Sequence, residues 1–161
     1  MLFGIGRRSL VALAALGAAG LLGGAFFFQY VMGLPPCPLC IWQRWPHAAA
    51  IALTVMALLL PGLAPLAVPL AALALLIGAG IAGYHVGVEQ GWWDSATCGT
   101  PDITGQSAAD LLRALQEAPM VACDEVVWSL FGISMAGWNG IASLCLVALL
   151  VVAMSLRPRP A

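Results

Sequence analysis

Apolar positions along this chain form long unbroken blocks, and charged positions collect between and beside them. Residues 9–43 carry no acidic or basic side chain; Arg44 interrupts, and 45–88 is again free of Asp, Glu, Arg and Lys. All seven acidic residues fall between Glu89 and Glu125, joined there by Arg113, and 126–156 is uncharged. A helix needs about 20 apolar residues to cross the hydrocarbon of a bilayer. The first block therefore predicts one span near 9–32, ended by Gly33-Leu34-Pro35-Pro36. The block 45–88 is too long for one helix, and Pro61-Gly62-Leu63-Ala64-Pro65 is a strong turn signal inside it. It predicts spans near 41–60 and 66–87, and the last block predicts a span near 136–156. The expected fold is an all-α membrane protein: a single domain over 1–161, built as a four-transmembrane-helix bundle with loops at 33–40 and 88–135 on one side.

The second loop has its own pattern. Ser107 and Asp110 stand at capping-box spacing. Leu111, Leu112 and Leu115 follow at helical spacing, with Asp110, Arg113 and Glu117 between them. A short amphipathic helix is expected there, lying on the membrane surface or covering the bundle. Gly20 and Gly24, and Gly83 and Gly87, form GxxxG pairs, a spacing that lets helices approach inside one bundle or between two copies.

Composition narrows the class. Hydrophobic residues make up 62% of the chain and charged residues only 8%, where a soluble domain carries about a quarter. That leaves too little polar surface for a soluble enzyme or a disordered tail. With six basic residues, all Arg, and a net charge of -1, there is no electrostatic footprint for nucleic acid. Arg7, Arg8, Arg157 and Arg159 flank the two ends, so the positive-inside tendency places both termini in the cytoplasm and both loops outside. Six Trp residues, 42, 45, 92, 93, 128 and 138, cluster near the outer helix ends, where an aromatic belt belongs. The competing reading is a cleaved signal peptide beginning at Arg7-Arg8; its apolar core is longer than the usual 7–15 residues or so.

This topology places Cys37, Cys40, Cys98 and Cys123 on the outer side and Cys145 mid-span, as a small hydrophobe. Cys37-Pro38-Leu39-Cys40 is a Cys-x-x-Cys pair, which serves redox chemistry or metal binding. Three readings stay open for the outer four: redox-active, static staples, or one metal site. An oxidising compartment favours disulfides, and the wide 98/123 separation is unlike the two close pairs of a structural zinc site. Cys40 begins the second helix, where the helix dipole favours an anion, and Arg44 follows one turn on. Both features lower a thiol pKa and favour the reactive thiolate. The alternative for Arg44 is an interfacial side chain reaching for water. A reactive thiolate at membrane depth calls for a lipid-soluble electron acceptor, and a quinone fits. Arg44 would stabilise the negative charge its oxygens gain. His85, at similar depth, would bond the other carbonyl or shuttle a proton; alternatively it is an interfacial or internally bonded His. His47 is assigned no chemistry.

The run Cys37-Pro38-Leu39-Cys40-Ile41-Trp42-Gln43-Arg44-Trp45-Pro46-His47 resembles the DsbB family of disulfide bond formation proteins. Tyr84-His85-x-Gly87-Val88-Glu89 and Phe131-Gly132-Ile133-Ser134-Met135-Ala136-Gly137-Trp138-Asn139 are similar to family patterns as well. The resemblance implies a bacterial inner-membrane thiol:quinone oxidoreductase, using ubiquinone or menaquinone and a periplasmic DsbA-like thioredoxin-fold partner. It implies that Cys98 is attacked by the reduced partner and that Cys123 is its disulfide mate, passing electrons to Cys37. Cys40 would then reduce the quinone, with Arg44 and His85 at the quinone site. Two rivals remain at this level. One is a quinone or epoxide reductase drawing on thiols; the other is a non-catalytic stapled or metal-binding membrane protein.

Overall fold

The computed structural model describes residues 6–95, 98, 107, 109 and 122–156. Four long helices stand among these residues: α1 (Arg7–Tyr30), α2 (Pro38–Leu59), α3 (Ala64–Glu89) and α4 (Met135–Ser155). A 3-10 turn, Pro61–Leu63, joins α2 to α3. Most residues of the segment expected to form the amphipathic helix (Asp110, Leu111, Leu112, Arg113, Leu115 and Glu117) lie outside the described residues, as do Arg157 and Arg159.

Local chemistry sets the helix ends that matter for the site. The chain turns out of α1 at Gly33, whose φ of 69° is left-handed, a conformation glycine takes without a Cβ clash. α2 then starts three residues earlier than the hydrophobic pattern suggested. Pro38 fits a first helical position, where its fixed φ suits the helix and its missing N–H is no loss. Cys37 is the N-cap, its sulfur accepting from the Cys40 backbone N–H at 3.2 Å. A two-stranded hairpin, β1 (Ser129–Leu130) and β2 (Ile133–Ser134), leads into α4. Its two turn residues, Phe131 and Gly132, have φ of 53° and 76°, the handedness that suits a tight hairpin. Ser134 caps α4 by accepting from the Gly137 N–H.

The helices form a closed ring in which α1 packs on α2 and α4, and α3 packs on the same two. The core is made of small side chains: Ala14, Ala18, Ala50, Ala67, Ala71 and Ala153 are buried around Val68, Leu75 and Leu150. Large ones point outward, among them Leu13, Leu16, Leu66, Leu73, Leu76, Ile77, Leu144 and Val151. Small residues inside let backbones approach closely, and a large apolar surface outside suits lipid. α1, the Pro61–Glu89 segment and α4 are each long and apolar enough to cross a membrane. In α2 the polar stretch Gln43-Arg44 and its neighbours Pro46 and His47 dilute the first half of the helix.

At three of the four GxxxG glycines no helix of this chain approaches closely: a Cβ built at Gly20, Gly24 or Gly83 would meet none of the described residues within 4 Å. Gly20 and Gly24 instead line a half-open cavity. The close approaches fall elsewhere: Gly78 against Pro46 of α2, and Gly140 against Ala82. Arg8 donates to the Leu58 carbonyl at 3.0 Å. A cation thus sits at the C-terminal end of α2, where the helix dipole favours it.

Candidate active site

The N-terminal turn of α2 carries the centre of the site. Cys37 and Cys40 face each other with sulfurs 2.9 Å apart, the Cys37 thiol donating to the Cys40 sulfur. That donation, and then burial, push the Cys37 thiol well above the ordinary cysteine range. Cys37 is therefore the sulfur that keeps its proton, and Cys40, which accepts from it, is the one placed to act as thiolate. Cys40 also lies in the helix's first turn, where unpaired N–H groups favour an anion.

Cys98 and Cys123 form a disulfide with Cα atoms 5.7 Å apart. Cys123 is buried in one cluster with Cys37, Leu39 and Val88, and Cys40, Tyr84 and Cys98 pack against it. Cys37, Cys40, Cys98 and Cys123 thus meet at one end of the bundle. Cys145 stands apart, a free thiol on the outward face of α4.

On the other side of Cys40 lies a cavity of about 270 Å³. Cys40, Gln43, Arg44, His47 and Asn139 supply its polar wall, and α1 with the segment before α4 supplies the apolar one. Phe28 and Trp128 meet over it with ring centroids 5.2 Å apart. The Arg44 guanidinium is held from outside: Nη1 donates to Gln29 Oε1, and its carbon lies 5.0 Å from the Phe26 ring centroid. Its Nε is buried with no hydrogen-bond partner. A buried donor left unpaired is costly, so the guanidinium beside this cavity has a hydrogen bond to spare.

His85 is not part of that wall. It sits on the far side of Gln43, with Nδ1 3.0 Å from Gln43 Nε2 and Nε2 3.6 Å from the Cys37 sulfur. Glu89 Oε1 is 3.8 Å from the same Nε2, and the other oxygen of Glu89 accepts from Ser134. His47, given no chemistry by the sequence, is buried beside the cavity. Its Nδ1 is 2.8 Å from the Gln43 carbonyl, so Nδ1 carries the proton and Nε2 accepts from Ser143 at 3.3 Å.

Gln43 stood in the family-like run without a role, yet it links three elements: its amide touches Leu39, His85 and Asn139. Gln29 and Asn139 were missed as well. All three are uncharged, so an inventory of Asp, Glu, Arg and Lys passes over them. The usable signal was a polar side chain inside an apolar block, which in lipid marks a functional position.

Cys37, Cys40 and His85 also place three soft ligand atoms within 4.8 Å of one another. Two thiolates on one tetrahedral zinc stand roughly 3.8 Å apart, given Zn–S near 2.3 Å. The 2.9 Å separation here is shorter than two thiolate ligands of one zinc would show.

Small residues inside, large ones outside, and a dithiol packed on a disulfide beside an apolar cavity define a membrane protein built for thiol–disulfide exchange. A family model described as disulfide bond formation protein DsbB matches residues 7–153. Disulfide bond formation protein B of Marinobacter nauticus is 34% identical, over 95% of this chain and 95% of its own. The protein of that name from Aromatoleum aromaticum is 34% identical over 98% and 97%. Disulfide bond formation protein B 2 of Pseudomonas syringae pv. syringae is 36% identical over 84% and 81%. No solved structure matches the chain. The chain belongs to the DsbB family.

Proposed function

We propose that this protein oxidises the dithiol of a periplasmic DsbA-like thioredoxin-fold protein and passes the electrons to a membrane quinone, ubiquinone or menaquinone. The observation that carries the reading is the position of the Cys37–Cys40 pair, with the Cys98–Cys123 disulfide on one side and the Arg44-lined cavity on the other. In this reading α2 is a fourth span and the protein sits in the bacterial inner membrane. Both termini are cytoplasmic and the four outer cysteines periplasmic.

Each transfer is attack of a thiolate on a disulfide sulfur. The partner's thiolate attacks Cys98, and the Cys98–Cys123 pair is reduced. Cys123 attacks Cys37, opening the Cys37–Cys40 disulfide and leaving Cys40 as the thiolate. Cys98 then attacks Cys123, which releases Cys37 and restores the loop disulfide. Bound beside Cys40, a quinone would supply the oxidant, accepting two electrons and two protons per cycle as Cys37 and Cys40 return to the disulfide. The residues present fit such a ring: the apolar walls would hold it, and the Arg44 cation and Cys40 border the same space. His85 serves the sulfur side of this relay, against Cys37.

The test mixes purified full-length protein, a reduced thioredoxin-fold oxidase and ubiquinone, and follows quinone absorbance. Stoichiometric quinone loss with oxidation of the partner is expected. Partner oxidation without quinone loss, or equal rates in a Cys40→Ser variant, overturns the proposal.

A further inference from the structure

We infer that Gln43 is a positioning residue for the sulfur relay: it fixes the tautomer of His85 so that the ring presents an N–H to Cys37. The inference rests on the reaction proposed above and assigns a role within it. Its starting point is the Gln43 amide, whose orientation is set by its neighbours. Gln43 Nε2 lies 3.3 Å from the Leu39 carbonyl, which can only accept, so this end of the amide is the nitrogen. At the other end, Gln43 Oε1 takes a hydrogen bond from Asn139 Nδ2 at 2.6 Å.

The same Gln43 nitrogen lies 3.0 Å from His85 Nδ1. A donor there requires Nδ1 to accept, so the proton of the neutral ring is on Nε2. What faces Nε2 agrees. The Cys37 sulfur at 3.6 Å and the Glu89 carboxylate oxygen at 3.8 Å are both acceptors, and the Cys123 backbone carbonyl lies within reach of the ring. The chain of bonds runs Asn139, Gln43, His85, Cys37, from α4 through α2 to α3 and back to the start of α2.

The step this serves is the release of Cys37. Cys98 attacks Cys123; the Cys98–Cys123 bond forms, the Cys123–Cys37 bond breaks, and the electron pair stays on the Cys37 sulfur. A leaving sulfur is faster when its negative charge is stabilised; the His85 Nε2–H hydrogen-bonds to that charge as it develops, and Cys37 then takes up the proton that the Cys98 thiol gave up on attacking.

The test is ¹⁵N NMR of the reduced, detergent-solubilised full-length protein labelled at histidine, with the two histidines assigned by a His47→Gln variant. The expected result is His85 protonated at Nε2 and bare at Nδ1. A proton on Nδ1 in the wild-type protein overturns the inference, and this readout needs no variant of Gln43 to fold. Gln43→Glu replaces the donor by an acceptor and should move the His85 proton to Nδ1; an unmoved proton also overturns it. Gln43→Met, which adds no charge, should shift the exchange equilibrium of Cys37–Cys40 with a thiol buffer about tenfold toward the disulfide, ~30 mV for a two-electron couple. An unchanged equilibrium counts against the positioning role. These readouts use neither quinone nor partner, so they stand or fall separately from the reaction itself.

Discussion

Arg44 and Gln29 tie α2 to α1 at the cavity wall: Arg44 Nη1 donates to Gln29 Oε1 over 2.6 Å. With Phe26 against the guanidinium, the side chain is held before any ligand arrives, and one N–H is left over. A hydrogen bond from a charged donor contributes about 1.5–3 kcal/mol. Arg44→Lys, which loses the planar fork, should therefore raise the quinone KM by roughly 10–100-fold. Gln29→Leu removes only the support for the guanidinium and leaves its charge in place, so it should raise the KM by less than Arg44→Lys does. Steady-state rates with varied quinone measure both. A larger effect from Gln29→Leu than from Arg44→Lys contradicts the assignment.

The two cysteine pairs should separate into two half-reactions. Cys37–Cys40 borders the cavity, whereas Cys98–Cys123 packs on its other side. In Cys98→Ser or Cys123→Ser, a small dithiol that reaches Cys37–Cys40 directly should still drive quinone reduction, while the thioredoxin-fold partner should not. Cys37→Ser and Cys40→Ser should lose both activities. Quinone absorbance with each electron donor decides; quinone reduction by the partner in Cys98→Ser would break the proposed order.

Much of this was legible because apolar block length and the Cys-x-x-Cys spacing are local signals. The start of α2 was misplaced by three residues because a hydropathy pattern does not see a capping sulfur, and Cys37 does the capping. The GxxxG pairs misled for a different reason: spacing shows that a helix can approach, not that one does, and Gly20 and Gly24 open onto the cavity instead. His85 was expected at the acceptor. Its depth was legible, but which side of Gln43 it occupies depends on the packing of α2 against α3, which no single segment encodes. The Gln43–Asn139 bond joins residues 96 apart in sequence, and neither carries a charge that would have drawn notice.

The proton that Cys37 keeps should appear in labelling. Donation to the Cys40 sulfur is the larger cause of the raised Cys37 pKa, and burial is the next. In the reduced wild-type protein, iodoacetamide near neutral pH should therefore modify Cys40 and spare Cys37, with Cys37 reacting only as pH rises. Cys40→Ser removes the first cause and leaves the second, so the Cys37 alkylation midpoint should fall while staying above that of a free thiol. Mass spectrometry of the labelled peptides across pH reads this out. A midpoint that does not move in Cys40→Ser would mean that Cys40 does not hold the Cys37 proton in place.

Gly87 offers a test of how the loop bearing Cys98 is anchored. A Cβ at Gly87 would stand 2.0 Å from the Trp93 indole, a distance no real contact tolerates. The indole is fixed twice over, stacked on Tyr84 with centroids 5.8 Å apart and donating from Nε1 to the Tyr84 carbonyl at 3.1 Å. Tyr84 in turn donates from its hydroxyl to the Asp94 carbonyl. Gly87→Ala must push the ring out and break both fixings. Overpacking of this kind costs about 1–3 kcal/mol. The expected result is a lower denaturation midpoint, a change in tryptophan fluorescence, and a slower rate with the thioredoxin-fold partner, because the displaced segment leads directly to Cys98. Quinone reduction by a small dithiol enters at Cys37–Cys40 and should be retained. Loss of that activity with the partner rate intact would place Gly87 in the bundle's own packing rather than under the loop.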